Sequence, residues 1–110
     1  MHGYLGELIG TFVFVVVILF TIKNFADSSF VIPFVVAMGL LVGIVVSSGS
    51  GGAGHINPAV STAFWLKVDI NGSKWAGFVI AQVFGAILAY GVYKLITGRH
   101  MCNKNTMVAE

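Results

Sequence analysis

The chain has 110 residues, of which 57% are hydrophobic and only 9% charged, with a formal net charge of +2. A water-soluble domain of this size carries about a quarter charged residues, because its surface is large relative to its volume. Six basic and four acidic side chains cannot cover such a surface, so lipid must solvate much of this protein, and the singly scattered basic residues leave no footprint for nucleic acid.

A membrane-spanning helix needs roughly 20 mostly apolar residues. Residues 4–22 meet that length with one charge, Glu7, and end at Lys23-Asn24. This run lacks a basic leader region and a small-residue cleavage site before Lys23, so it reads as a retained membrane segment and not as a cleaved signal. Residues 30–47 carry no charge, and Pro33 falls in the first turn, where a missing N–H does no harm. Residues 75–97 form the third span, with Ser73 as the expected N-cap and Lys94 near enough to the end to snorkel. Small residues recur at intervals of four: Gly77, Ala81, Gly85 and Ala89 on the third span, Gly6 and Gly10 on the first, Gly39 and Gly43 on the second. They predict close helix packing and carry no chemistry.

Between the second and third spans the chain changes character. Residues 47–54 are all serine, glycine or alanine, and the apolar segment after them, 58–68, has 11 residues. At 1.5 Å per residue it extends about 16 Å, half a hydrocarbon core. Such a segment either lies on the membrane surface or is re-entrant, its loop dipping to mid-membrane and its helix climbing back. Irregular backbone facing lipid leaves N–H and C=O groups unpaired at several kcal/mol each. A re-entrant loop therefore predicts a pore or a site. Asn57 is a good N-cap and Pro58 fits the first helical position. At mid-membrane the positive end of this helix would repel cations, the Asn57 amide would donate to a passing oxygen, and the preceding carbonyls would accept. Such a lane suits small neutral hydroxylic solutes.

The segment GGAGHINPAVS at 51–61 resembles the first signature loop of the major intrinsic proteins, the aquaporins and aquaglyceroporins. ELIGTF at 7–12, AMGL at 37–40 and AQVFGA at 81–86 resemble motifs of that family's first three helices, in the same order. The resemblance implies an all-α membrane protein: half of an aquaporin-like fold, with three transmembrane helices plus one re-entrant half-helix. The half-channel repeat would occupy 1–97, its re-entrant part 48–68, followed by a polar tail at 98–110. It implies that Asn57 orients the permeant, that Pro58 and Ala59 shape the helix start, and that the carbonyls of Ala53, Gly54, His55 and Ile56 line half a lane. Glu7 and Gln82 would support the loop. Met38 stands where the family commonly has an aromatic filter residue, and its flexible thioether predicts a less defined constriction.

The second loop of this kind, and the arginine that follows it in the family, have no counterpart in the sequence. A half-channel can still form a working lane in a homo-oligomer if two copies pair in inverted orientation; equally, the sequence is consistent with a truncated product of a longer channel. With the N-terminus inside, Lys67 and Lys74 would be cytoplasmic and Lys23, Lys94, Arg99 and Lys104 outside, a weak bias that permits either orientation. The expected function is passive permeation of water or small uncharged solutes such as glycerol. The alternatives are a non-conducting membrane partner that associates through small-residue faces and depends on Gly85 or Ala89, and a truncated channel fragment without independent activity. Enzyme chemistry has no nucleophile–base pair or nucleotide motif to rest on. The single cysteine, Cys102, forms no internal disulfide, and His2, His55 and His100 share no ligand spacing, so no metal or cofactor is expected.

Overall fold

A computed structural model of the chain describes residues 3–27 and 29–98. His2, Arg99, His100, Cys102 and Lys104, with nearly all of the tail, lie outside the described residues. The described residues form four α-helices: α1 (Tyr4–Asn24), α2 (Val31–Gly49), α3 (Pro58–Leu66) and α4 (Gly72–Thr97). Helices α1, α2 and α4 have 21, 19 and 26 residues and are long and apolar enough to cross a membrane. Helix α3 has nine residues. It rises only about 14 Å, too little for a core of about 30 Å.

Local chemistry sets the helix ends. Asn57 caps α3 by accepting a hydrogen bond from the Ala59 amide at 2.8 Å, and Pro58 follows at the first position. Helix α3 stops at Leu66, two residues short of the apolar run, because Val68 turns left-handed (φ 72°) while its N–H returns to the Trp65 carbonyl. Helix α4 begins at Gly72, three residues before the expected start. Asn71, not Ser73, is its cap, and it accepts from the Lys74 amide at 2.8 Å. Helix α2 ends in a paired C-terminal motif: the Gly52 N–H donates to the Ser47 carbonyl at 2.8 Å and the Gly51 N–H to the Ser48 carbonyl at 3.2 Å. Gly51 takes the left-handed conformation (φ 86°) that this stop requires.

Helix α1 is the centre of the bundle. Both α2 and α4 pack along it, α2 and α4 do not pack on each other, and α3 rests on α4. Small residues permit these approaches. A Cβ added at Gly10 would stand 2.6 Å from the Gly43 carbonyl oxygen, and one at Gly43 would stand 2.9 Å from that of Gly10, which marks the α1–α2 crossing. On α4, a Cβ at Gly85 would collide with the Leu8 carbonyl, one at Gly77 with the Tyr4 ring, and Ala81 and Ala89 are buried. This face therefore lies against α1 and is not an outward surface. Leu40, Leu41, Val45, Ile80, Phe84 and Ile87 are exposed instead, as suits lipid or further protein.

Gly85→Leu should disrupt the α1–α4 contact and destabilise the fold by about 3 kcal/mol or more, since backbone cannot retreat as a flexible side chain can. Gly91 has nothing within 4 Å of its added Cβ. Gly91→Ala should leave stability unchanged or raise it by about 0.5–1 kcal/mol through lower backbone entropy. Unfolding in mixed detergent micelles, followed by helical circular dichroism, checks both.

Candidate functional site

The segment from Ser50 to Asn57 has no regular structure, yet its backbone is closely fastened. The anchor is Glu7, in the first turn of α1 and fully buried. Its Oε1 accepts from the Ser47 hydroxyl at 3.0 Å, the Ala53 amide at 2.9 Å and the His55 amide at 3.1 Å. Its Oε2 accepts from the Ile56 amide at 2.6 Å and the Gln82 side-chain amide at 3.0 Å. Every partner donates, so the carboxyl group is a pure acceptor, as an ionised carboxylate is. Charge-assisted bonds of this kind are roughly twice as strong as neutral ones. The Gly54 amide completes the series by donating to Ser47 Oγ at 3.2 Å.

Four successive backbone N–H groups, 53 to 56, thus turn toward one carboxylate and one hydroxyl. Outside a helix, alternation of backbone hand brings successive amides to one side, and Gly54 (φ 76°) and Ile56 (φ 42°) supply the left-handed members. Runs of this geometry are anion-binding concavities. Here the anion is the protein's own Glu7. The carbonyl oxygens of Ala53, Gly54, His55 and Ile56 accept no hydrogen bond from the described residues. The loop therefore uses its donors internally and leaves its acceptors free.

A second tier ties the loop to α3 and α4. Gln82 Nε2 donates to Glu7 and also to Ser61 Oγ at 2.8 Å. Both amide hydrogens are then committed, and Gln82 Oε1, turned from the carboxylate, is buried without a partner among the described residues. Ser61 Oγ lies 3.0 Å from His55 Nδ1. The Ser61 hydroxyl thus joins Gln82 on α4 to the His55 ring, with the ring tautomer setting which of Ser61 and His55 donates. The His55 ring stacks on Phe64 at 4.6 Å and meets the edge of Phe78 at 5.3 Å. Trp65 and Trp75 stack at 4.6 Å, and Trp75 Nε1 donates to Thr62 Oγ1 at 3.0 Å. These contacts seat α3 on α4.

Glu7, Gln82, Ala53, Gly54, His55 and Ile56 are therefore brought together, and Asn57, Pro58 and Ala59 follow them at the exposed start of α3. Asn57 Oδ1 is taken by its cap, while Nδ2 has no partner among the described residues. Met38 is apart from this cluster, 48% exposed on α2 and about 14 Å along that helix from Ser47. Sequence reasoning missed Ser47 and Ser61, both fully buried. A signal for Ser47 existed: it continues the four-residue spacing of Gly39 and Gly43 onto the same face.

The whole chain, residues 1–110, matches the major intrinsic protein family. It is 33% identical over 94 residues to glycerol uptake facilitator protein-like 6 of Lactiplantibacillus plantarum, covering 86% of this chain and 43% of that protein. It is also 33% identical to aquaglyceroporin-3 of Trypanosoma brucei brucei, covering 90% of this chain and 35% of that one. The match to the glycerol uptake facilitator protein of Escherichia coli K12 is 38% over 60 residues, 51% of this chain and 21% of that one. No solved structure gives a significant match. With its three apolar helices and short fourth, the chain is a multi-pass integral membrane protein with half of an aquaporin-like fold. It belongs to the major intrinsic protein family, whose members are membrane channels. It spans less than half the length of these relatives.

Glu7→Gln would turn one acceptor oxygen into a donor among five donors. It should destabilise the fold by about 3 kcal/mol or more, because buried donors lose charged partners and one faces another donor. Ser47→Ala removes one bond to the carboxylate and one from Gly54 and should cost about 1–3 kcal/mol. Titration of each variant with denaturing detergent measures both.

Proposed function

We propose that the loop at 50–57 and helix α3 form one half of a passive lane for water and small uncharged solutes such as glycerol. The observation that carries this reading is the division of the loop's hydrogen-bonding groups. Its amides are sequestered by Glu7 and Ser47, while four successive carbonyls and the Asn57 Nδ2 have no partner among the described residues. A neutral hydroxylic solute both donates and accepts, so it exchanges its water partners for these groups at little cost. Asn57 stands at the N-terminus of α3, where the peptide dipoles place partial positive charge that disfavours cations. In this reading the segment at 48–68 is re-entrant, residues 1–97 are the half-channel repeat, and Glu7 and Gln82 hold the loop. Pro58 and Ala59 start the half-helix, and Met38 borders a wider part of the lane. The irregular backbone meets protein and water instead of lipid, as its polarity requires.

Half a lane must be completed. A second half of the same kind completes it, and a second copy of the chain in inverted orientation, within a homo-oligomer, would supply one, bringing two Asn57 amides together near the bilayer centre. The relatives' names, glycerol facilitator and aquaglyceroporin, support a polyol as permeant. Association through Gly85 and Ala89 has no support, because α1 already covers that face.

Liposomes carrying the purified chain should shrink faster under an osmotic step than empty ones, with faster glycerol entry measured separately. Asn57→Leu should abolish both gains while leaving the helical content unchanged. Wild-type rates equal to those of empty liposomes, in folded and inserted protein, would contradict the lane.

A further inference from the structure

We propose that Ile56 is the positioning residue of the loop: its side chain locks the Glu7-bound peptide into the α1–α2 crossing and thereby aims Asn57. This deepens the channel reading and rests on it for the role of Asn57. The backbone of Ile56 is left-handed, with φ 42°. For a β-branched residue that conformation is an outlier, because its branched Cβ crowds the flanking peptide. A glycine would satisfy the backbone at no steric cost, as it does two residues earlier at Gly54. Something the side chain does must hold isoleucine there.

The surroundings identify it. Ile56 is 2% exposed, and its side chain fills the notch where α1 and α2 cross. A Cβ on Gly10 would lie 2.7 Å from Ile56 Cγ2, and one on Gly43 would lie 2.9 Å from Ile56 Cδ1. Each branch of the side chain thus occupies space that one of the two crossing glycines leaves empty. The N–H of the same residue donates to Glu7 Oε2 at 2.6 Å, the shortest of the carboxylate's bonds. Residue 56 is therefore gripped twice, through its amide by α1 and through its side chain by α1 and α2 together. The next residue is Asn57, whose carbonyl accepts from the Ser61 amide at 3.0 Å as α3 starts. Rotation of the peptide between 56 and 57 would redirect both the Ile56 carbonyl and the Asn57 side chain. The other left-handed non-glycine residue, Val68, has no such grip and is 84% exposed. Left-handedness alone does not make a peg.

The test uses the full chain in lipid nanodiscs, with Ile56→Val, Ile56→Ala and Ile56→Gly, and reads amide hydrogen exchange at 53–56 against amides in the middle of α1 and α4. Ile56→Ala should speed exchange in the loop by roughly tenfold or more and leave the helix amides unchanged. Ile56→Val keeps the Cγ2 contact and loses Cδ1, so it should show a smaller rise confined to the same residues. It decides the matter if the alanine variant does not fold. Ile56→Gly should loosen the loop at least as much as alanine, although it relieves the backbone. Wild-type protection in the alanine or glycine variant would overturn the proposal. A uniform loosening of loop and helices would also overturn it, since it would make Ile56 ordinary packing. Osmotic flux is measured in parallel: a silent wild type sinks the channel reading alone, and the exchange pattern still decides the role of Ile56.

Discussion

A single carboxylate, placed one turn into α1, gathers five donors from α2, α4 and the loop between them. Remove Glu7 and the amides of Ala53, His55 and Ile56, the Ser47 hydroxyl and the Gln82 amide all lose a charged acceptor, and all of these residues but Ala53 are buried. Unpaired amides at depth cost several kcal/mol each. The irregular loop exists because Glu7 replaces the pairing that a helix would have given it. Much of the remaining structure serves to bring donors to this acceptor. Gly10 and Gly43 let α2 approach α1 closely, so that Ser47 reaches Oε1; the small face of α4 lets Gln82 reach Oε2.

The same arrangement divides the loop chemically. Donors face inward and acceptors do not, which a straight strand cannot achieve over four consecutive residues. The alternation of backbone hand at Gly54 and Ile56 produces it. The division also links packing to permeation in the proposed lane. A side chain too large at the α1–α2 crossing would displace Ile56 and with it the carbonyls and Asn57. Structure and selectivity are then set by the same few small residues. The aromatic contacts among His55, Phe64 and Phe78, with the stacked tryptophans, fix the far end of α3 on α4.

Much of this was legible in the sequence because length and polarity are one-dimensional quantities. The ruler of about 20 residues separates α1, α2 and α4 from α3, and Asn57-Pro58 marks the start of α3 through cap chemistry alone. Small residues four apart announced which face of α4 would pack. What stayed hidden depends on three-dimensional convergence. Ser47 and Ser61 look like ordinary helix residues until Glu7 and Gln82 come within 3.0 Å of them. His55 was read for its carbonyl, while its ring turns into the α3–α4 contact, which only the positions of Phe64 and Phe78 determine. Ser73 and Asn71 are equally good caps on propensity, and only the path of the chain after Val68 chooses Asn71. No local rule places an isoleucine in left-handed space, so Ile56 was invisible as a peg.

Inside the folded protein Glu7 acts only as an acceptor. Infrared difference spectra between the wild-type chain and Glu7→Asp, with glutamate labelled at its side-chain carboxyl carbon, test it most directly. Glu7 should give an isotope-shifted carboxylate band at neutral pH, with no matching band from a protonated acid. A protonated carboxyl band assigned to Glu7 would contradict it, because that proton would have to replace one of the five donors.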